Sequence, residues 1–66
     1  MSYELGIIGA GNMAEAIARG IIARDVLKPK QIIAADVSPQ RRELFQSLGI
    51  KAVQDNATAA RDAKTS

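Results

Sequence analysis

Gly9, Gly11 and Ala14 fall at the spacing G-x-G-x-x-A within Gly9-Ala10-Gly11-Asn12-Met13-Ala14. The run follows a short β-branched stretch, Leu5-Gly6-Ile7-Ile8, and opens an apolar pattern of helical period. In that context the spacing suits the gripping of a pyrophosphate. Gly9 permits a tight turn out of a strand, Gly11 lets a phosphate approach the backbone, and Ala14 lets the helix lie against the strand. The unbonded N–H groups at the start of that helix, and the positive end of its dipole, would face the phosphates. A strand-to-helix turn that simply needs glycine is the plainer alternative, but such turns rarely need this spacing.

Asp36 ends a second apolar stretch, 22 positions beyond Ala14. An acidic side chain near that distance can hold the hydroxyls of an adenosine ribose; it can equally cap a turn or helix. Arg41 and Arg42 follow, and either could meet a 2′-phosphate or simply be solvated. Asp36 repels such a phosphate and the arginines attract it, so NADP and NAD both stay open as cofactors. Ser38 could donate to the same region, although capping of the next helix explains it well.

No residue type here points to catalysis. The chain has no His and no Cys, and nothing resembles a metal-ligand cluster. Lys28, Lys30, Lys51 and Lys64 lack the apolar surroundings that would depress a lysine pKa. Glu15 and Glu43 fall on polar helix faces and read as solvated surface, while Tyr3 and Glu4 precede the first strand. The residues support binding, with no catalytic and no metal-binding position among them.

The elements that must position this site come in three strand–helix pairs. After the strand Leu5–Ile8, the residues Met13, Ile17 and Ile21, with Ala14, Ala18 and Ile22 beside them, predict a helix with one broad apolar face. Gly20 within it suggests close approach to a neighbouring element. Gln31–Ala35 predicts a second buried strand, and Ser38-Pro39 a helix start, with Leu44, Phe45 and Leu48 as its apolar side and Gly49 as its C-terminal cap. Ile50–Val53 predicts a third strand, and Asp55 or Asn56 the cap of a short helix through Ala57–Ala63. This βαβαβα order predicts an α/β fold with a parallel three-stranded sheet: a partial, half Rossmann fold.

Composition narrows the partners. Nine Lys+Arg against seven Asp+Glu give a formal charge of +2, with the basic residues scattered, and there is one Tyr, one Phe and no Trp. Neither a nucleic-acid surface nor a base-stacking platform is suggested. No apolar run approaches a membrane span, and the N-terminus lacks the order of a secretory signal, so a soluble, cytoplasmic protein is expected. Twelve of the 66 residues are Ala, and no disulfide can supplement the small core. A chain this short buries only ~60% of the surface its unfolded form exposes.

From Ile7 to Ile17, and on through Arg19-Gly20, the chain resembles the N-terminus of pyrroline-5-carboxylate reductase. The resemblance continues through Ile32-Ile33, Asp36, Ser38-Pro39, Leu48-Gly49 and Asp55-Asn56. It implies an oxidoreductase of proline biosynthesis that passes hydride from NADPH or NADH to the imine of pyrroline-5-carboxylate. It further implies cofactor contacts at Ile8, Gly9, Ala10, Gly11, Asn12, Met13 and Ala14, at Ala35, Asp36, Val37 and Ser38, and at Asn56. Many relatives carry Arg directly after the position of Asp36, where this chain has Val37. A hydroxyacid-type dehydrogenase is the runner-up among enzymes, and a free-standing half-Rossmann module binding ADP-like ligands is the alternative outside them.

In that family an apolar fourth strand follows Arg61-Asp62-Ala63, where this chain reads Lys64-Thr65-Ser66. Residues 1–66 are therefore expected to form one N-terminal dinucleotide-binding half-domain, without the remaining strands or the C-terminal helical dimerisation domain, and not catalytic alone. The strand Leu5–Ile8 would then be an exposed edge, which predicts a homodimer through it.

Overall fold

The computed structural model describes residues 3–9 and 11–65. Four strands, β1 (Tyr3–Ile8), β2 (Ile32–Ala35), β3 (Lys51–Val53) and β4 (Ala63–Thr65), form one sheet in the order β3-β2-β1-β4. Every pairing is parallel. Three helices connect them: α1 (Asn12–Ala23), α2 (Pro39–Ser47) and α3 (Asn56–Asp62). A single 3-10 turn, Pro29–Gln31, takes the first residue expected of the second strand.

The sheet has helices on both faces. Side chains alternate along β2, so Ile32 and Ala34 join Ala14, Ala18, Phe45 and Ile50 beneath α1 and α2, while Ile33 and Ala35 join Tyr3 and Ala59 beneath α3. All four residues of β2 are buried, as an inner strand of a parallel sheet requires. Ser38 caps α2, its hydroxyl accepting from Arg41 N–H, with Pro39 at the first helical position. Asp55 caps α3, which settles the choice between Asp55 and Asn56. Gly49, at φ +86°, ends α2 in the left-handed conformation expected of it.

The expectations for the sheet and for α1 are corrected. The sheet has four strands rather than three, and β1 is not an edge: β4 pairs with it at Tyr3↔Ala63 and Leu5↔Thr65. Residues 63–65 are polar apart from Ala63, but an outer strand needs only extended backbone and tolerates charge. Lys64 reinforces the pairing by donating to Glu4 at 3.1 Å.

The second correction concerns α1. Ala14 and Ala18 are buried and Ile21 and Ile22 partly so, whereas Met13 and Ile17 are 70% and 52% exposed. A helix lying close over a parallel sheet brings its smallest side chains to the contact, and this turns the larger Met13–Ile17 row outward. Gly20 also lacks the close neighbour expected of it: a Cβ there would meet nothing within 4 Å.

The glycines therefore predict opposite outcomes. Gly20→Ala should raise stability by about 0.5–1 kcal/mol, by restricting the unfolded chain and favouring helix. Gly49→Ala should lower it by about 1–2 kcal/mol, because alanine pays for the left-handed conformation and its Cβ would press on Pro29 at 3.1 Å. Urea denaturation midpoints measure both; a destabilised Gly20→Ala would mean that α1 has a packing partner at that point.

Candidate functional site

Because all strands run parallel, the β1–α1, β2–α2 and β3–α3 connections emerge along one edge of the sheet. That edge carries the residues singled out from the sequence, Ala10 excepted, which lies outside the described residues.

Gly9 is tied to the second strand, its N–H donating to the Ala35 carbonyl at 2.7 Å. Asp36 N–H donates in turn to Val53 carbonyl at 3.0 Å, which fixes the three strand ends side by side. A Cβ on Gly9 would stand 2.8 Å from Asp36 Oδ2 and 2.9 Å from the Ala35 oxygen. Gly9 is thus required by the closeness of the Asp36 carboxylate. The left-handed turn belongs to Gly11, at φ +64°, and a Cβ there would meet nothing within 4 Å.

Gly11 also occupies the position before α1, where it offers no side chain to cap the helix. The first N–H groups of α1, from Asn12 to Ala14, precede the first intrahelical donor, Glu15 N–H, which reaches the Gly11 carbonyl at 3.4 Å. Among the described residues these N–H groups meet no backbone acceptor, and a Cβ on Gly11 would meet nothing within 4 Å, the setting that an anionic group fits.

Asp36 Oδ1 accepts from Ser38 N–H at 3.0 Å, and Oδ2, beside Gly9, accepts no hydrogen bond among the described residues. The carboxylate is therefore oriented but half committed. Ala35 is wholly buried and its carbonyl is taken by Gly9, so it supports the turn from below. Val37 is 75% exposed beside Asp36, and Ile8 and Met13 are exposed at the turn. Asn56 opens α3 on the same edge and is exposed. Asp55 satisfies the capping bonds, accepting from Ala57 N–H at 2.9 Å and Thr58 Oγ1 at 3.1 Å.

The arginines are placed as the sequence did not indicate. Arg41 crosses from α2 to the glycine turn, where Nη2 donates to the Gly11 carbonyl and Nη1 reaches Asn12 Oδ1 and Glu15 Oε1, both at 3.4 Å. Its guanidinium also lies 5.8 Å from the Phe45 ring centroid. Arg42 Nη1 donates to the Asp36 carbonyl at 2.8 Å. No local signal marks these ties, which join residues 26 to 30 positions apart for Arg41.

Glu15 is likewise more engaged than a solvated surface residue. Its Oε2 accepts from Arg19 Nε at 2.8 Å, and this bond holds the carboxyl below the usual glutamate range. Partial burial works against that, and the charges of Arg19 and Arg41 reinforce it. A carboxyl whose pKa falls on folding stabilises the fold above its unfolded pKa and loses that contribution as pH drops through the folded value. Glu15→Gln should therefore lower Tm at pH 7 and flatten the fall of Tm between about pH 5 and pH 3. Thermal melts across that window test it; an unchanged acid limb would show that the arginine pairing contributes nothing.

Comparison with known proteins agrees with the geometry. Residues 4–65 match the family described as NADP oxidoreductase coenzyme F420-dependent. The chain is 45% identical over 60 residues to a pyrroline-5-carboxylate reductase of Pisum sativum, covering 91% of this chain and 22% of that protein. Identity to the enzyme of the same name in Arabidopsis thaliana is 50% over 50 residues, 74% of this chain and 18% of that one. To that of Methanosarcina acetivorans it is 38% over 62 residues, 92% and 23% respectively. The chain thus spans about a fifth of the length of these relatives. A parallel sheet with a glycine turn at its carboxyl edge and a match across residues 4–65 lead to one conclusion: the chain belongs to the NADP oxidoreductase coenzyme F420-dependent family and carries its nicotinamide dinucleotide-binding fold.

Proposed function

We propose that the chain grips the ADP half of a nicotinamide dinucleotide and serves as the cofactor-holding part of a pyrroline-5-carboxylate reductase. The single observation that carries this is the start of α1 at Gly11, which has no side-chain cap and has room where a Cβ would stand. The pyrophosphate would lie over residues 8–13, on the N–H groups of the turn and the first helical residues. The adenosine ribose would meet Asp36, whose Oδ2 is free to accept its hydroxyls, with Val37 and Ser38 alongside and Asn56 across the edge. When bound, the dinucleotide supplies the hydride for the imine carbon of pyrroline-5-carboxylate, whose nitrogen takes up a proton to give proline. The contribution of this chain's own residues is binding and orientation: the turn fixes the phosphates, and Asp36 fixes the ribose.

The similarity to proteins named pyrroline-5-carboxylate reductase supports the choice of reaction over a hydroxyacid-type dehydrogenase. Calorimetric titration with NADH and NADPH tests the site. Gly11→Val should abolish binding of both, because valine disfavours φ +64° and its side chain would stand in the phosphate's path. Gly9→Ala should weaken binding at least tenfold, roughly the effect of displacing a positioning group by an ångström, since its Cβ would push Asp36 aside. Affinity that survives Gly11→Val would place the phosphates elsewhere.

A further inference from the structure

Gly11 combines φ +64° with ψ −139°, a conformation open to glycine and to few other residues. The same freedom lets the peptide between Gly11 and Asn12 turn over, because no side chain on Gly11 resists it. A planar trans peptide points its carbonyl and its N–H in opposite directions. Whatever holds the Gly11 carbonyl therefore also aims the Asn12 N–H, one of the donors proposed above for the pyrophosphate.

Two groups reach that carbonyl. Glu15 N–H makes the first helical bond to it at 3.4 Å, which is long for such a bond. Arg41 Nη2 is the nearer donor, and it comes from another element, α2. Nη1 of the same guanidinium reaches Asn12 Oδ1 and Glu15 Oε1, both at 3.4 Å, and Glu15 is held in turn by Arg19 at 2.8 Å. Nε is buried without a partner, so the two Nη groups alone make the hydrogen bonds of this side chain among the described residues. The guanidinium also stands 5.8 Å from the centroid of the buried Phe45 ring, which limits where it can move.

We infer that Arg41 is a positioning residue for the phosphate turn: by holding the Gly11 carbonyl from α2, it keeps the Asn12 N–H turned toward the pyrophosphate. The inference rests on the dinucleotide reading above and adds to it a residue outside the glycine motif. Without Arg41 the Gly11–Asn12 peptide has a second orientation, in which a carbonyl oxygen faces the phosphate and repels it. A ligand must then select the chains whose N–H faces it, and its apparent affinity falls by the fraction of chains in that state.

The test combines calorimetric titration with ADP and NADH and the amide NMR signal of Asn12, in the unmodified chain and in Arg41→Gln. In the unmodified chain that signal should be single and sharp without ligand. It should move downfield as ADP is added, because a phosphate then accepts from the N–H. In free Arg41→Gln the signal should double or broaden, reporting two peptide orientations. Both ligands should bind that variant about tenfold more weakly, the order of one hydrogen bond to a charged group. A variant that binds as tightly as the unmodified chain would overturn the inference. So would weaker binding with the free Asn12 signal still single and sharp, since Arg41 would then be touching the phosphate itself. Should Arg41→Gln not fold, the unmodified chain still decides: a shift of the Asn12 signal with ADP supports the inference, and ADP binding without that shift overturns it. Both of those failures leave the dinucleotide reading standing, whereas binding of neither ligand to the unmodified chain would overturn that reading and this inference with it.

Discussion

The contact of Gly9 with Asp36 across the ends of β1 and β2 is the constraint on which the rest depends. The parallel register that sets Ile8 opposite Ala35 leaves the two chains leaving the sheet together, and the Gly9–Ala35 hydrogen bond holds them there. Once the backbones are this close, a side chain on Gly9 has no place, and the Asp36 carboxylate takes the space instead. Everything at the edge follows. The turn can then rise over Gly11 into α1, and the carboxylate stands beside Gly9. The buried Ala35 and the small contacts Ala14 and Ala18 keep the layers near enough to preserve the arrangement.

The division of labour between the glycines shows how a motif can be legible while its mechanics are not. The strand–turn–helix context and the glycine spacing point to a dinucleotide-binding fold. They did not reveal that Gly11 carries the left-handed turn and Gly9 the close approach, because both roles ask for the same residue. Ser38, Pro39 and Gly49 were readable for a related reason: capping is a local bond, made by residues within a few positions of one another.

What escaped reading was non-local or depended on distance between layers. The ties of Arg41 to Gly11 and Glu15 require α1 and α2 to lie side by side on one face of the sheet, and nothing within α2 announces it. The outward turn of Met13 and Ile17 has a comparable cause. Apolar residues surround most of α1, so hydrophobic period alone could not choose among them, and the tight layer spacing favoured the alanines. The strand at residues 63–65 has no apolar pattern in the sequence, because an outer strand draws on backbone bonds that side-chain pattern does not display.

The sheet order also sets when the fold can close. β4 sits beside β1, so Tyr3 pairs with Ala63 and Glu4 meets Lys64 across 60 positions of chain. Loop-closure entropy for such a pairing is met only after the intervening helices have shortened the path. β1, β2 and β3 and their crossovers can assemble from nearer neighbours, but this flank of β1 must wait. The strand that feeds the glycine turn thus gains its β4 neighbour after its β2 neighbour.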